Sequence, residues 1–152
     1  MKSTLATLAA TLAVASPAFA GDPAAGERAF GQCATCHVVQ NEAGDVLAGR
    51  NARQGPNLYA IAGRQAGIVE GFRYGNSLVQ AGEKGLEWDE DSFVAYVLNP
   101  NTFLRDYLGD NRARGNMAFR VRSEDEARNL WAYITSLAPQ PEEEAGEASA
   151  TN

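Results

Sequence analysis

The chain holds two cysteines and one histidine, and all three fall inside one five-residue run, Cys33-Ala34-Thr35-Cys36-His37. Residues three apart on a helical turn share a face, so both sulfurs reach the two vinyl groups along one side of a porphyrin. His37, next in line, then offers its imidazole to the iron. Cys-x-x-Cys-His is the attachment signature of a c-type haem. The competing readings fit less well. A structural zinc wants four Cys/His ligands, and this chain has three. A redox dithiol follows a strand in a βαβ pattern, and no such pattern precedes Cys33. A plain disulfide leaves the adjacent histidine unexplained.

Residues 1–20 read as a secretory signal: Lys2 at the start, an uncharged apolar run from Leu5 to Val14, and Ala18-Phe19-Ala20 before Gly21. The run is short for a membrane span. Cleavage after Ala20 places the product in the periplasm, where covalent haem attachment takes place, so the two signals agree. At the other end, 139–152 is rich in Pro and Glu and lacks large apolar residues, which predicts a disordered acidic tail. One small domain, 21–138, lies between them.

Charge excludes some functions. The chain carries a net −6, and loss of Lys2 with the signal makes it −7. Four acids (Glu142, Glu143, Glu144 and Glu147) sit in the tail, leaving about −3 on the domain. Nucleic acid is therefore not expected as a partner. Lys84 is the one lysine left, and arginine carries the remaining positive charge.

Along the domain the pattern is helical. Asp22-Pro23 makes an N-cap and first helical position, with Ala25, Gly26, Ala29 and Phe30 at helical spacing behind them. The stretch Val38–Arg53 is polar and glycine-containing, and Asn41–Asp45 reads as a turn. Gly55-Pro56-Asn57 reads by itself as a further turn, although a proline carbonyl near His37 would also orient the imidazole. Arg64, Tyr74 and Trp88 are donors suited to buried propionates. Each taken alone is better explained as a surface or core residue.

Asp89 caps a helix over Glu90–Asn99 with Phe93, Tyr96 and Val97 facing inward, and Asn99-Pro100 stops it. A shorter helical piece carries Phe103, Leu104, Tyr107 and Leu108. A polar loop, 109–116, leads to Met117. Ser123 with Glu126 forms a capping box for a last helix striped by Ala127, Leu130, Trp131, Ile134 and Ala138. That bulky stripe is the natural partner for the Gly26 and Phe30 face.

Met117 is the only methionine after the signal. With His37 on one axial position and no second histidine, the other falls to Met117, Lys84, a tyrosine, the N-terminal amine or water. A lone methionine delivered by an irregular loop fits a ligand better than a core filler.

With these residues laid out, the sequence resembles class I (mitochondrial-type) cytochrome c, in the long-loop form of bacterial periplasmic members. The resemblance runs from Gly21 to Ala138. It rests on the haem motif, Gly55-Pro56-Asn57-Leu58, Gly63-Arg64, Gly71-Phe72-Arg73-Tyr74, Trp88, Tyr96 ahead of Asn99-Pro100, and Asn116-Met117-Ala118-Phe119. It implies an all-α fold of four to five helices around one haem c bound through Cys33 and Cys36, with His37 and Met117 on the iron. It further implies Pro56 accepting the His37 N–H, Arg64, Tyr74 and Trp88 serving the propionates, and Tyr96 touching the methionine sulfur. Gly26 and Phe30 would cross the last helix near Leu130 and Tyr133.

The expected activity is that of a monomeric one-electron carrier, not an enzyme, meeting membranes only through partner complexes. Quinol–cytochrome c oxidoreductase is the expected donor, and a terminal oxidase, photosynthetic reaction centre or nitrogen-oxide reductase the acceptor. The rival is a haem peroxidase or gas-binding protein with an open sixth iron position. Two features depart from the family: Gly115 and Leu78 stand where many relatives have polar residues, and the usual lysine ring is replaced by Arg112, Arg114, Arg120 and Arg122.

Overall fold

A computed structural model describes residues 21–139 of the chain; the expected signal and all but the first residue of the expected tail lie outside them. The described residues form five helices and a small antiparallel hairpin: α1 (Pro23–Phe30), α2 (Asn76–Glu83), α3 (Glu90–Leu98), α4 (Pro100–Leu108) and α5 (Glu124–Ser136). The hairpin strands are β1 (Val38–Gln40) and β2 (Val46–Gly49), and the haem motif forms a 3₁₀ turn at Cys33–Thr35. The all-α expectation holds. No described helix is long and apolar enough to cross a membrane.

Four of the five helices begin at a side-chain cap; α2 starts at Gly75 without one. The Asp22 carboxylate accepts from Ala24 N–H with Pro23 at the first helical position. Asp89 and Ser92 exchange side-chain and backbone bonds in a reciprocal box at the start of α3. Asn99 closes α3 and caps α4, its side chain accepting from Thr102 N–H. Pro100 therefore ends one helix and begins the next. Gly109 ends α4 in the left-handed region at φ 68°.

Two elements were not anticipated. The hairpin forms where a polar loop was expected: Val38 pairs with Gly49 and Val39 with Ala48, and a bulge follows at Gln40. Its runs are too short for strand periodicity to register. Helix α2 buries only Leu78, Ala81 and Gly82. Gly82 lies against the Ala66 carbonyl, where a Cβ would collide with it. One expected detail is corrected. Ser123 does accept from Glu126 N–H, but the Glu126 carboxylate turns to Gln32 Nε2 and Arg122 N–H instead of completing the box.

The first and last helices cross as expected. A Cβ on Gly26 would overlap the Asn129 carbonyl, so glycine permits the backbones to touch, and Phe30 packs on Tyr133 with ring centroids 5.7 Å apart. The core is continuous, from Phe30 and Val39 through Leu58, Phe93 and Leu104 to Leu130 and Ile134.

The Asp89 box gives a testable pH dependence. Hydrogen bonds from Ser92 lower the Asp89 pKa, so the folded state favours the carboxylate. That stabilisation is present above the ordinary carboxyl value of 3.8 and is lost as pH falls through the lowered folded one. Asp89→Ala is expected to cost about 1 kcal/mol at pH 7. In urea titrations the gap to wild type should close in strong acid. A gap independent of pH would contradict the ionised cap.

Candidate cofactor site

Between the helices lies a cavity of about 360 Å³. Every site residue expected from the sequence lines it: Cys33, Cys36, His37, Pro56, Arg64, Tyr74, Trp88, Tyr96 and Met117. Most of the remaining wall is apolar, including Leu58, Ile61, Leu78, Val97, Leu130 and Ile134.

The thiol pair is presented by the 3₁₀ turn, on which residues three apart eclipse. His37 N–H and Cys36 N–H both bond to the Cys33 carbonyl, at 2.9 and 3.0 Å. The two cysteines form no disulfide with each other. Burial, with Glu126 and Cys36 nearby, pushes the Cys33 thiol up to about 11. His37 is set by the loop after the hairpin. Its Nδ1 lies 3.0 Å from the Pro56 carbonyl; donation there leaves the Nε2 lone pair for a metal. Burial holds the imidazole pKa below its usual value, against a smaller opposite effect of the Pro56 carbonyl. A buried neutral imidazole is the ligand form.

The loop that carries Pro56 is itself locked. Asn57 accepts from Gln40 N–H at 3.0 Å and donates to the Gln40 carbonyl at 2.7 Å, tying the loop to β1. Gly55 N–H bonds to the Cys36 carbonyl at 2.7 Å. A Cβ at Gly55 would overlap the imidazole ring, so glycine is what lets this backbone approach His37. Read from the sequence, Gly55-Pro56-Asn57 gave a turn; the roles of Gly55 and Asn57 needed the fold.

On the far side of that loop, Arg64 donates from Nη1 to the Tyr59 carbonyl at 2.7 Å and from Nη2 to the Asn57 carbonyl at 3.0 Å. These use two of a guanidinium's five N–H donors, so capacity remains for an anion in the cavity. Burial lowers the Arg64 pKa while Tyr74 works against it. The Trp88 backbone N–H bonds to the Arg64 carbonyl at 3.0 Å, and both residues line the cavity. Tyr96 meets Trp88 edge to face at 5.2 Å, and burial lifts its phenol to about 12, so it stays a neutral donor at physiological pH. Met117 arrives from the loop after α4, half-buried against the core.

A flat, mostly apolar body with two anionic arms fits these walls: thiols and an imidazole on one turn, a thioether on a loop, and a guanidinium, phenols and an indole for the arms. No family model matches the sequence, but individual relatives do. It is 57% identical over 122 residues to cytochrome c2 of Rhodovulum adriaticum, covering 80% of this chain and 97% of that protein. Cytochrome c-550 of Paracoccus versutus is 38% identical over 151 residues, covering 96% and 95%. The solved structure of cytochrome c2 from Rhodobacter sphaeroides superposes with a TM-score of 0.77 at 50% identity, covering 80% of this chain and 99% of that one.

The chain belongs to the class I cytochromes c. As a cytochrome c it binds one covalent haem c through its cysteine pair, Cys33 and Cys36, and it is an electron-transfer protein, not an enzyme. The haem supplies an iron that cycles between ferric and ferrous. What the protein supplies is enclosure. In this cytochrome the apolar wall lowers the local dielectric, which favours the ferrous, less charged centre.

Proposed function

We propose that the protein is a periplasmic electron shuttle, released by cleavage after Ala20, whose haem iron is held by His37 and Met117. The observation that carries the ligation is that one cavity receives both the imidazole oriented by Pro56 and the mature chain's only methionine. A soft thioether raises the reduction potential, and two protein ligands leave no position for oxygen or peroxide. Arg64, Tyr74 and Trp88 would take the propionates, and Tyr96 would neighbour the thioether.

The proposed donor is a membrane quinol–cytochrome c oxidoreductase. The acceptor is a terminal oxidase, a photosynthetic reaction centre or a nitrogen-oxide reductase. Docking is assigned to the exposed Arg112, Arg114, Arg120 and Arg122, which flank Met117 in sequence with the exposed Phe119 among them. Positive charge around an apolar centre suits fast, salt-sensitive encounters with an acidic surface. Electron-transfer rates with such a partner should fall as salt rises, and a flat salt profile would remove the arginines from docking.

Ligation is tested by the optical spectrum of the ferric protein beside that of Met117→Ala. A low-spin haem with a weak sulfur-to-iron band that disappears in the variant is expected. The variant's potential should drop by on the order of 0.2 V or more, within the roughly 0.8 V that axial ligands span. A high-spin spectrum in the wild type would overturn the ligand assignment and favour a peroxidase or gas-binding protein with an open iron.

A further inference from the structure

The loop that delivers Met117 is pinned from two directions just before the methionine. Arg114 N–H donates to the Ser77 hydroxyl at 3.1 Å, and Gly115 N–H donates to the Asn101 side-chain oxygen at 2.9 Å. Ser77 lies in the first turn of α2 and Asn101 in the first turn of α4. Neither acts as its helix's cap: Gly75 and Asn99 occupy those positions. Ser and Asn are poor formers of helix interior because their side chains compete for backbone bonds. Here those side chains bond to the loop's backbone instead.

The next loop residue is held by shape. A Cβ at Gly75 would lie 2.8 Å from Asn116 Oδ1, so Asn116 is seated directly on the backbone at the start of α2. Past the methionine the chain is caught again where Val121 N–H meets the Val97 carbonyl at 2.9 Å. Met117 thus sits in a short span anchored at both ends.

We infer that Ser77 and Asn101 are positioning residues for Met117: by fixing the peptide N–H groups of Arg114 and Gly115 they hold the thioether where the iron can keep it. This rests on Met117 being an axial ligand. A thioether binds ferric iron weakly enough for an added ligand to compete, so the hold shows as resistance to displacement. Arg112 to Gly115 buries one apolar side chain, Ala113, and the Arg112 and Ala113 N–H groups bond only locally to Asp110, which leaves the Ser77 and Asn101 bonds as those that tie the approach to Met117 to distant helices.

The test is an optical titration of the ferric holoprotein with imidazole, which competes with Met117 for the iron. Ser77→Ala/Asn101→Ala is expected to bind imidazole roughly tenfold more tightly than wild type, the size of two net hydrogen bonds in the lower half of their usual range. Each single variant should show about threefold. Ser77→Thr and Asn101→Asp keep an accepting oxygen and should restore wild-type affinity. Asp22→Ala controls for general loosening, since it removes the α1 cap without touching the loop. It should lower the urea midpoint and leave imidazole affinity unchanged.

Wild-type affinity in both single variants, with the sulfur band intact, would overturn the inference. So would an equal rise in Asp22→Ala. A wild type without the sulfur band removes Met117 from the iron and the clamp with it, whereas a wild type with the band and unresponsive variants removes the clamp alone.

Discussion

The haem-free chain with Cys33 and Cys36 both replaced by alanine is expected to lose its cooperative fold. The reason is the size of what the walls enclose. Residual apolar cavities cost about 24 cal/mol per Å³, so the 360 Å³ between the helices amounts to about 9 kcal/mol if it stayed dry. Water entering from the open side reduces that figure but wets Leu58, Ile61, Leu130 and Ile134 in exchange. A domain of this size has about 5–15 kcal/mol in total. Far-UV circular dichroism should show most of the helix gone, and amide proton resonances should collapse into a narrow band. Free haem added back should recover part of the helix through His37. A well-dispersed spectrum of the haem-free variant would show that the walls close without a filling and would refute the argument.

The second large effect is expected at the crossing of α1 and α5. Gly26→Val places a branched side chain where a single Cβ already overlaps the Asn129 carbonyl and would lie 2.7 Å from the Tyr133 Cβ. These obstacles are backbone and a side-chain root, which cannot rotate away. Valine gains some of the roughly 1 kcal/mol that glycine loses to alanine in a helix. Separating two helices costs more: overpacking alone reaches about 3 kcal/mol, and the Phe30–Tyr133 contact beside it is disturbed as well. The holoprotein's melting temperature should fall by roughly 10 °C or more. Ala24→Val, on an exposed position of the same helix, should move it by no more than about 2 °C. Similar losses in the two variants would mean that the crossing is not the cause.

Much of this site was legible before the fold was known because its chemistry rests on scarce residues. One histidine, one cysteine pair and one methionine beyond residue 20 leave little choice for the ligands proposed. Helix starts were legible for a different reason, since Asp22-Pro23, Asp89 and Ser123 satisfy orphan N–H groups with local side chains; Asn99-Pro100 was legible as a stop, and its second role as the start of α4 was not. What stayed hidden depends on contacts between distant segments. The hairpin has three and four residues to a strand, too few for alternation to stand out. In α2 the decisive residue is Gly82, which contributes by having no side chain, and propensity counts that against a helix. Glu126 has the spacing of a capping-box partner, yet Gln32, 94 positions away, takes one of its oxygens. The restraint on Met117 was equally hidden, because Ser77 and Asn101 belong to helices that come together only in three dimensions.

The pairing of α1 with α5 also sets an order of assembly. Asp22 N–H bonds to the Asn129 side chain across 107 positions, and closing a ring of that length costs about 4 kcal/mol in chain entropy. Nothing at the start of the domain can find its packing partner until the last helix has been made and delivered. A chain emerging N-terminus first therefore presents the thiols of Cys33 and Cys36 to the surroundings for almost the whole of its delivery. Because the cavity wall closes stably only around the haem, the docking of Glu124–Ser136 onto the first helix follows attachment at Cys33 and Cys36 and does not precede it.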